Sequence, residues 1–197
     1  MAKPELSRTS PLDGRLPWAL PDGVVLLEEQ RFLHQIGLRL RPGPPAYFAG
    51  LPMPLEPNRV GAMQAIRVLW LGPDEWLVTA PEDAAPELPA RLARAVEDRR
   101  AVILDLSAAR VAIEVSGRHA RDLVQKGCGL DLHPRAFMPG QCAQTVFAKL
   151  PVIIDQFSTL PAYRLFVRRS SAPWLCRWLI DAAEEFRAAD PPARHIW

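Results

Sequence analysis

The chain has 197 residues, 49% hydrophobic and 23% charged, the length and composition of one soluble globular domain or of two small lobes sharing a core. Its 24 basic and 22 acidic side chains leave no basic footprint for nucleic acid. No apolar run approaches the ~18 residues that a membrane helix needs.

The first residues, 1–22, have no helical period and carry turn signals at Pro11-Leu12-Asp13-Gly14 and Pro21-Asp22-Gly23, so they read as an extended arm, loose or laid on a partner. They lack the apolar core of a signal peptide, and the expected setting is cytoplasmic. Residues 23–187 read as a single domain with halves at about 23–100 and 101–187, followed by a tail over 188–197. FLHQIGLRL, Phe32 to Leu40, fits a strand. The proline-rich GPPAYFAGLPMP leaves room for one or two helical turns around Tyr47 and Phe48. AIRVLWLGPDEWLVTAP is a β-hairpin, with Ile66, Val68 and Trp70 on one face, turn chemistry at Gly72-Pro73-Asp74, and Trp76 and Val78 together on the returning strand. Leu88, Leu92, Ala95 and Val96 give helical spacing over Pro86 to Asp98.

The second half repeats this order. AVILDLS reads as a short buried strand, and RVAIEVSG alternates with Val111, Ile113 and Val115 inward and Arg110, Ala112 and Glu114 outward. Ser116 suits the cap of a helix whose buried stripe is Ala120, Leu123 and Val124. Lys126 sits in its last turn and Gly127 reads as its C′ residue. QCAQTVFAKL, PVIIDQF and YRLFVRR are three strands. A closing helix, capped at Ser170 or Ser171, has Trp174, Leu175, Trp178, Leu179, Ala182 and Phe186 on its apolar face. Trp70, Trp76, Trp174 and Trp178 are assigned to the core, and the pairs Arg99-Arg100 and Arg168-Arg169 to solvent or an interface. The fold class is α+β: two related halves of strand-helix-hairpin-helix order, with mainly antiparallel sheets and helices on one face of each.

The sequence contains no P-loop, GxGxxG, GxSxG or HExxH motif, and its four histidines are scattered. Three widely spaced cysteines without a CxxC argue against a disulfide framework and a structural zinc site. The densest chemistry is KGCGLDLHPRAF, Lys126 to Phe137. Cys128 is either a thiol activated by the neighbouring lysine or a small buried side chain. Asp131, His133 and Arg135 either share one side of an extended run or, around Pro134, brace a loop through an ion pair.

LWLGPDEWLV, VILDLS, VSG, KGCGLDLHPRAF, PGQCAQT and LFVRRS stand in order ahead of a Trp-rich helix. Together with the opening SPLDG they resemble the gamma subunit of heterotetrameric sarcosine oxidase, from about Ser10 to Phe186. Lys126, Gly127, Cys128, Asp131, His133, Pro134, Arg135, Gly140 and Gln141 carry the family motif. LDLSAARVAIEVSG and PGQCAQT are similar, more distantly, to the folate-binding aminomethyltransferases. Those proteins carry an Asn-Asp pair where this chain has Gly129-Leu130-Asp131. Folate-binding iron–sulfur assembly proteins share Lys126-Gly127-Cys128, and this chain departs from them at Gly129-Leu130-Asp131.

The resemblance implies a non-catalytic subunit of a complex that oxidatively demethylates sarcosine to glycine and hydrogen peroxide and passes the one-carbon unit to tetrahydrofolate. It implies FAD, FMN, NAD and zinc on other subunits and no cofactor on this chain. The implied partners are the alpha, beta and delta subunits, chiefly alpha. Should this chain touch a cofactor, the candidates are Asp131, Cys128 and Lys126. The alternative is a free-standing folate-binding one-carbon or iron–sulfur assembly protein in which Cys128 or Asp131 is active.

Overall fold

Period-two alternation along most of the chain is met by two antiparallel sheets packed face to face. The structure is a computed structural model that describes residues 8–41, 45–96 and 101–189. Its elements run β1 (Trp18–Ala19), β2 (Leu26–Glu29), β3 (Leu33–Leu40), β4 (Tyr47–Phe48), β5 (Leu51–Pro52), β6 (Val60–Met63), β7 (Ile66–Gly72), β8 (Glu75–Pro81) and α1 (Leu88–Val96). They continue with β9 (Ala101–Asp105), β10 (Arg110–Ser116), α2 (Ala120–Gly127), β11 (Gln141–Phe147), β12 (Leu150–Ser158), β13 (Ala162–Arg168), α3 (Ala172–Ala183) and α4 (Glu185–Ala189). One sheet has strand order β6-β7-β8-β3-β9 and the other β1-β2-β10-β13-β12-β11.

The hairpin expected over Ile66 to Pro81 forms with Gly72 opposite Glu75, so Pro73 and Asp74 make its loop. The β11–β12 hairpin turns at Ala148 and Lys149, whose φ angles of 46° and 68° match the right-handed twist of the strands they join.

Three apolar layers hold the molecule. On the outer face of the five-stranded sheet, Ile36, Leu38, Val68, Trp76 and Val78 pack under Leu88 and Leu92 of α1. On the outer face of the six-stranded sheet, Val111, Ile113, Ile154 and Leu165 pack under Leu123 and Val124 of α2 and Leu175 and Leu179 of α3. Between the sheets lie Leu33, Leu69, Leu77, Ala112, Cys142, Ile153 and Phe166. This middle layer explains why β8 reads as a continuous apolar run: both its faces are covered. It also corrects the outward face expected for β10. Ala112 is buried in the middle layer, and Glu114 meets Arg164 at 3.3 Å.

One end of the middle layer is polar. Arg67 forks onto the fully buried Asp155 at 2.6 Å and 2.5 Å. The guanidinium carbons of Arg67 and Arg164 stand 5.9 Å and 4.8 Å from the Phe157 ring centre. A planar guanidinium meets both a carboxylate fork and an aromatic face, which suits arginine to this corner.

Several local expectations are corrected. Tyr47 and Phe48 form a short ribbon with Leu51 and Pro52 rather than helical turns. AVILD is the edge strand β9, with Val102 and Leu104 exposed, rather than a buried strand. It pairs with β3, so it completes the sheet of the first half. In exchange, β1 and β2 join the sheet of the second half. In the part of the expected arm that is described, Leu12, Leu16 and Leu20 are buried in the core beneath α3. Trp76 is fully buried with its N–H donating to the Pro54 carbonyl at 2.9 Å, and Trp70 and Trp178 pack at the margin of the core. Trp174 is exposed. His119, not Ser116, stands at the N-cap of α2. Ser171 is at the N-cap of α3 with Pro173 in the first turn, without a side-chain capping bond. Arg99, Arg100 and residues 190–197 of the tail lie outside the described residues.

Candidate functional site

The KGCGLDLHPRAF segment leaves α2 and crosses to β11. Its position is set by the buried stripe of Ala120, Leu123 and Val124. Gly127 is the last residue of α2, and its role differs from the C′ role expected of it. It has no positive φ. A Cβ there would lie 2.2 Å from Cζ of Phe147, so the position is small because a buried ring sits on it. Phe147 stacks edge-on against Trp178 of α3, with centres 5.3 Å apart. The Gly127 carbonyl accepts from Ala148 N–H at 2.7 Å.

Lys126 reaches across to the carboxyl end of α3. Its Nζ donates to the Ala182 carbonyl at 2.6 Å, pairs with Glu185 at 2.7 Å and stands 4.4 Å above the Phe186 ring. A cation at a helix carboxyl terminus is favoured by the helix dipole. The charge that would activate Cys128 is therefore engaged by α3 and α4. Burial pushes the Cys128 thiol up from its ordinary value, and its Sγ faces the Val124 carbonyl at 3.6 Å. These observations favour the small, partly buried reading of Cys128.

The loop is braced, but not by the expected ion pair. Asp131 Oδ1 accepts from His133 N–H at 2.9 Å, and His133 Nδ1 accepts from Arg135 N–H at 3.2 Å. Around Pro134 the chain turns tightly, and the N–H groups of Ala136 and Phe137 both reach the His133 carbonyl. Leu132 and Phe137 plug the loop into the core. Gln125 closes the loop from the helix side. Its amide donates to the Leu130 carbonyl at 2.7 Å and accepts from Leu132 N–H at 3.1 Å. Its only sequence signal is a glutamine in the last turn of the helix.

PGQC stitches the two sheets. Gly140 adopts φ 86°, a region that favours glycine. Its N–H donates to Gln156 of β12, and its carbonyl accepts from Val60 of β6. Gln141 Oε1 accepts from Met138 N–H at 2.7 Å, closing the turn. Cys142 then enters the middle layer, where its Sγ faces the Trp70 carbonyl at 3.4 Å. Burial, with the Asp155 charge adding to it, pushes its thiol up to about 12.

Three cavities lie elsewhere among the described residues. One of about 330 Å³ is lined by Ser10, Glu29, Gln35, Ser107 and Arg110, among others. A second, of about 760 Å³, lies beside Arg110, Arg168 and Arg169. A third, of about 630 Å³, lies beside His34 and Glu82. None of the three is lined by Lys126, Cys128, Asp131, His133 or Gly140. The Asp131 carboxylate accepts a bond from its own loop through Oδ1. Among the described residues, no group of three His, Cys, Asp or Glu side chains could hold a metal ion. No described helix is long and apolar enough to cross a membrane.

The architecture defines a class: an α+β domain of the aminomethyltransferase type. The glycine cleavage system aminomethyltransferase T from Bartonella henselae superposes with a TM-score of 0.59 at 15% identity, covering 82% of this chain and 49% of that one, which shows a common fold. Residues 47–185 match the sequence family described as "Sarcosine oxidase, gamma subunit family". The chain belongs to that family. It is 40% identical over 177 residues to the sarcosine oxidase subunit gamma of Corynebacterium sp. (strain P-1), covering 87% of this chain and 85% of that protein. It is 37% identical over 175 residues to the Arthrobacter sp. subunit, covering 83% and 82%. A chain of the heterotetrameric sarcosine oxidase from Corynebacterium sp. U-96, solved in complex with pyrrole 2-carboxylate, superposes with a TM-score of 0.82 at 33% identity. That match covers 94% of this chain and 99% of that one.

Proposed function

We propose that this chain serves as the non-catalytic gamma subunit of a heterotetrameric sarcosine oxidase. The complex oxidises sarcosine with oxygen to hydrogen peroxide and an imine. The imine carbon passes to tetrahydrofolate, releasing glycine and 5,10-methylenetetrahydrofolate. FAD, FMN, NAD and zinc reside on the other subunits, and this chain docks chiefly on alpha, in the cytoplasm. The observation that carries the reading is the match along nearly the full length of both chains to a member of such a heterotetramer. The motif chemistry agrees with it. Lys126, Asp131, His133 and Gln141 are engaged in bonds within the domain, and the three thiols are all pushed up by burial. A rigid subunit of this kind contributes by closing a compartment, which keeps a reactive imine close to its acceptor and away from bulk water.

Co-expression with the alpha, beta and delta chains tests the reading. The expected result is stoichiometric co-purification of this chain with an active complex. Its absence from the purified complex would contradict the proposal. The free-standing folate-binding alternative predicts heat on titration with tetrahydrofolate, lost in Asp131→Ala. Absence of heat, or heat unchanged in Asp131→Ala, would count against that alternative.

A further inference from the structure

Where β10 begins and β13 ends, a recess is lined by Arg110, Arg168, Arg169 and Leu106, among others. Arg110 and Arg168 are direct partners in the antiparallel β10–β13 register, so their side chains leave the sheet on one face, side by side. Like charges in that position repel, and among the described residues neither guanidinium forms an ion pair. Arg110 Nη1 is sealed from solvent with no acceptor, and the fully buried Gln35, which lines the adjoining cavity, has its Oε1 unpaired. The carboxylate whose charge acts on Arg110 is Glu75, and it is held by Arg39 at 3.0 Å. Arg169 adds a third cation, with one nitrogen on the Thr9 carbonyl. Ser170 and Pro173, at the amino end of the 12-residue α3, line the same recess, so the helix dipole adds to the positive field.

A desolvated arginine without a counter-ion is costly, and a chain that folds around one leaves a position for an anion. The surroundings indicate which kind. Beside the recess, Leu104 and Val102 continue the face of Leu106 as exposed apolar side chains on the open edge of β9. Guanidinium forks match carboxylates, and an apolar strip next to them suits the side chains that flank a carboxylate in a polypeptide. We infer that the Arg110–Arg168–Arg169 recess, with the β9 edge, is the surface on which an acidic segment of a partner subunit docks. This rests on the gamma-subunit reading and identifies the face through which assembly occurs.

The test compares wild type with Arg168→Gln and Arg110→Gln/Arg168→Gln in binding to the complex of the remaining subunits. Removing a repelling pair leaves the melting temperature of the isolated double variant at or above that of wild type. The same change weakens its binding by at least about tenfold, and the salt dependence of binding becomes shallower. The exposed Arg168→Gln change keeps the test available should the double variant fold poorly. Equal binding by wild type and variants would overturn the assigned face and leave the gamma-subunit reading standing. Failure of wild type itself to bind would remove both. If millimolar citrate or phosphate raises the melting temperature of wild type but not of the variants, while all bind the partners equally, the occupant is a small anion and the docking inference is wrong.

Discussion

Replacing Gly127 with alanine separates two effects of opposite sign. Alanine is favoured over glycine within a helix by about 1 kcal/mol, and less at a last helical position. Against this, the new methyl would stand 2.2 Å from Cζ and 2.5 Å from both Cε atoms of Phe147, far inside normal contact. Phe147 cannot swing freely, because it is fully buried, stacked on Trp178 and fixed by the bridge between Cys128 and Phe147. Overpacking of this kind costs about 1–3 kcal/mol, and three simultaneous overlaps place it toward the upper end. The net expectation is a loss of about 2 kcal/mol, or a fall in melting temperature of roughly 4–8 °C for a chain of this size. Urea unfolding followed by far-UV circular dichroism measures it. The companion variant Gly127→Ala/Phe147→Leu should be less destabilised than the sum of the single changes, because the smaller side chain leaves room for the methyl. A neutral or stabilised Gly127→Ala protein would refute the packing argument.

Other expectations follow from the same structure. Asp155→Ala leaves Arg67 without its buried partner and should cost about 3–5 kcal/mol by urea unfolding, whereas Arg67→Met/Asp155→Leu should recover most of that loss. The thiols should react with an aromatic disulfide reagent more slowly than free cysteine in the native protein and fully in urea; a Cys128 that reacts faster than free cysteine would restore the activated-thiol reading. Because Cys142 holds its proton up to about 12 when folded but has an ordinary value of 9.0, the unfolded chain releases that proton first. Its contribution to stability is thus complete below pH 9.0 and is lost as pH rises toward 12, so the urea midpoint should fall between pH 8 and 10.5 with a shallower slope in Cys142→Ala.

Elements whose signal is local were legible in the sequence. The β7–β8 hairpin carries its turn residues between two alternating strands, and α2 carries a three-residue stripe that the structure buries unchanged. What the sequence did not show depends on partners distant along the chain. Ala112 and Glu114 look like solvent positions until a second sheet covers them, and Gly127 looks like a helix stop until Phe147, twenty residues on, lies against it. Lys126 beside Cys128 suggests an activated thiol only while the carboxyl end of α3 is out of view. The membership of β2 and β9 is a question of topology, and composition does not encode which sheet a short apolar strand joins. Arg110 and Arg168 are unremarkable letters until register sets them opposite each other. At the candidate site, residue types were visible but their engagement was not, because side-chain-to-backbone bonds such as those of Gln125 and Asp131 leave no periodic trace.

In the proposed role this chain lends a folded surface to redox machinery carried by other subunits. Native mass spectrometry of the four co-expressed chains, alongside flavin absorbance and peroxide production from sarcosine by this chain alone, tests it most directly. One copy of this chain is expected in an intact heterotetramer, and a colourless, inactive protein when it is purified by itself. A chain that stays outside the assembly, or that alone retains flavin and oxidises sarcosine, would contradict it.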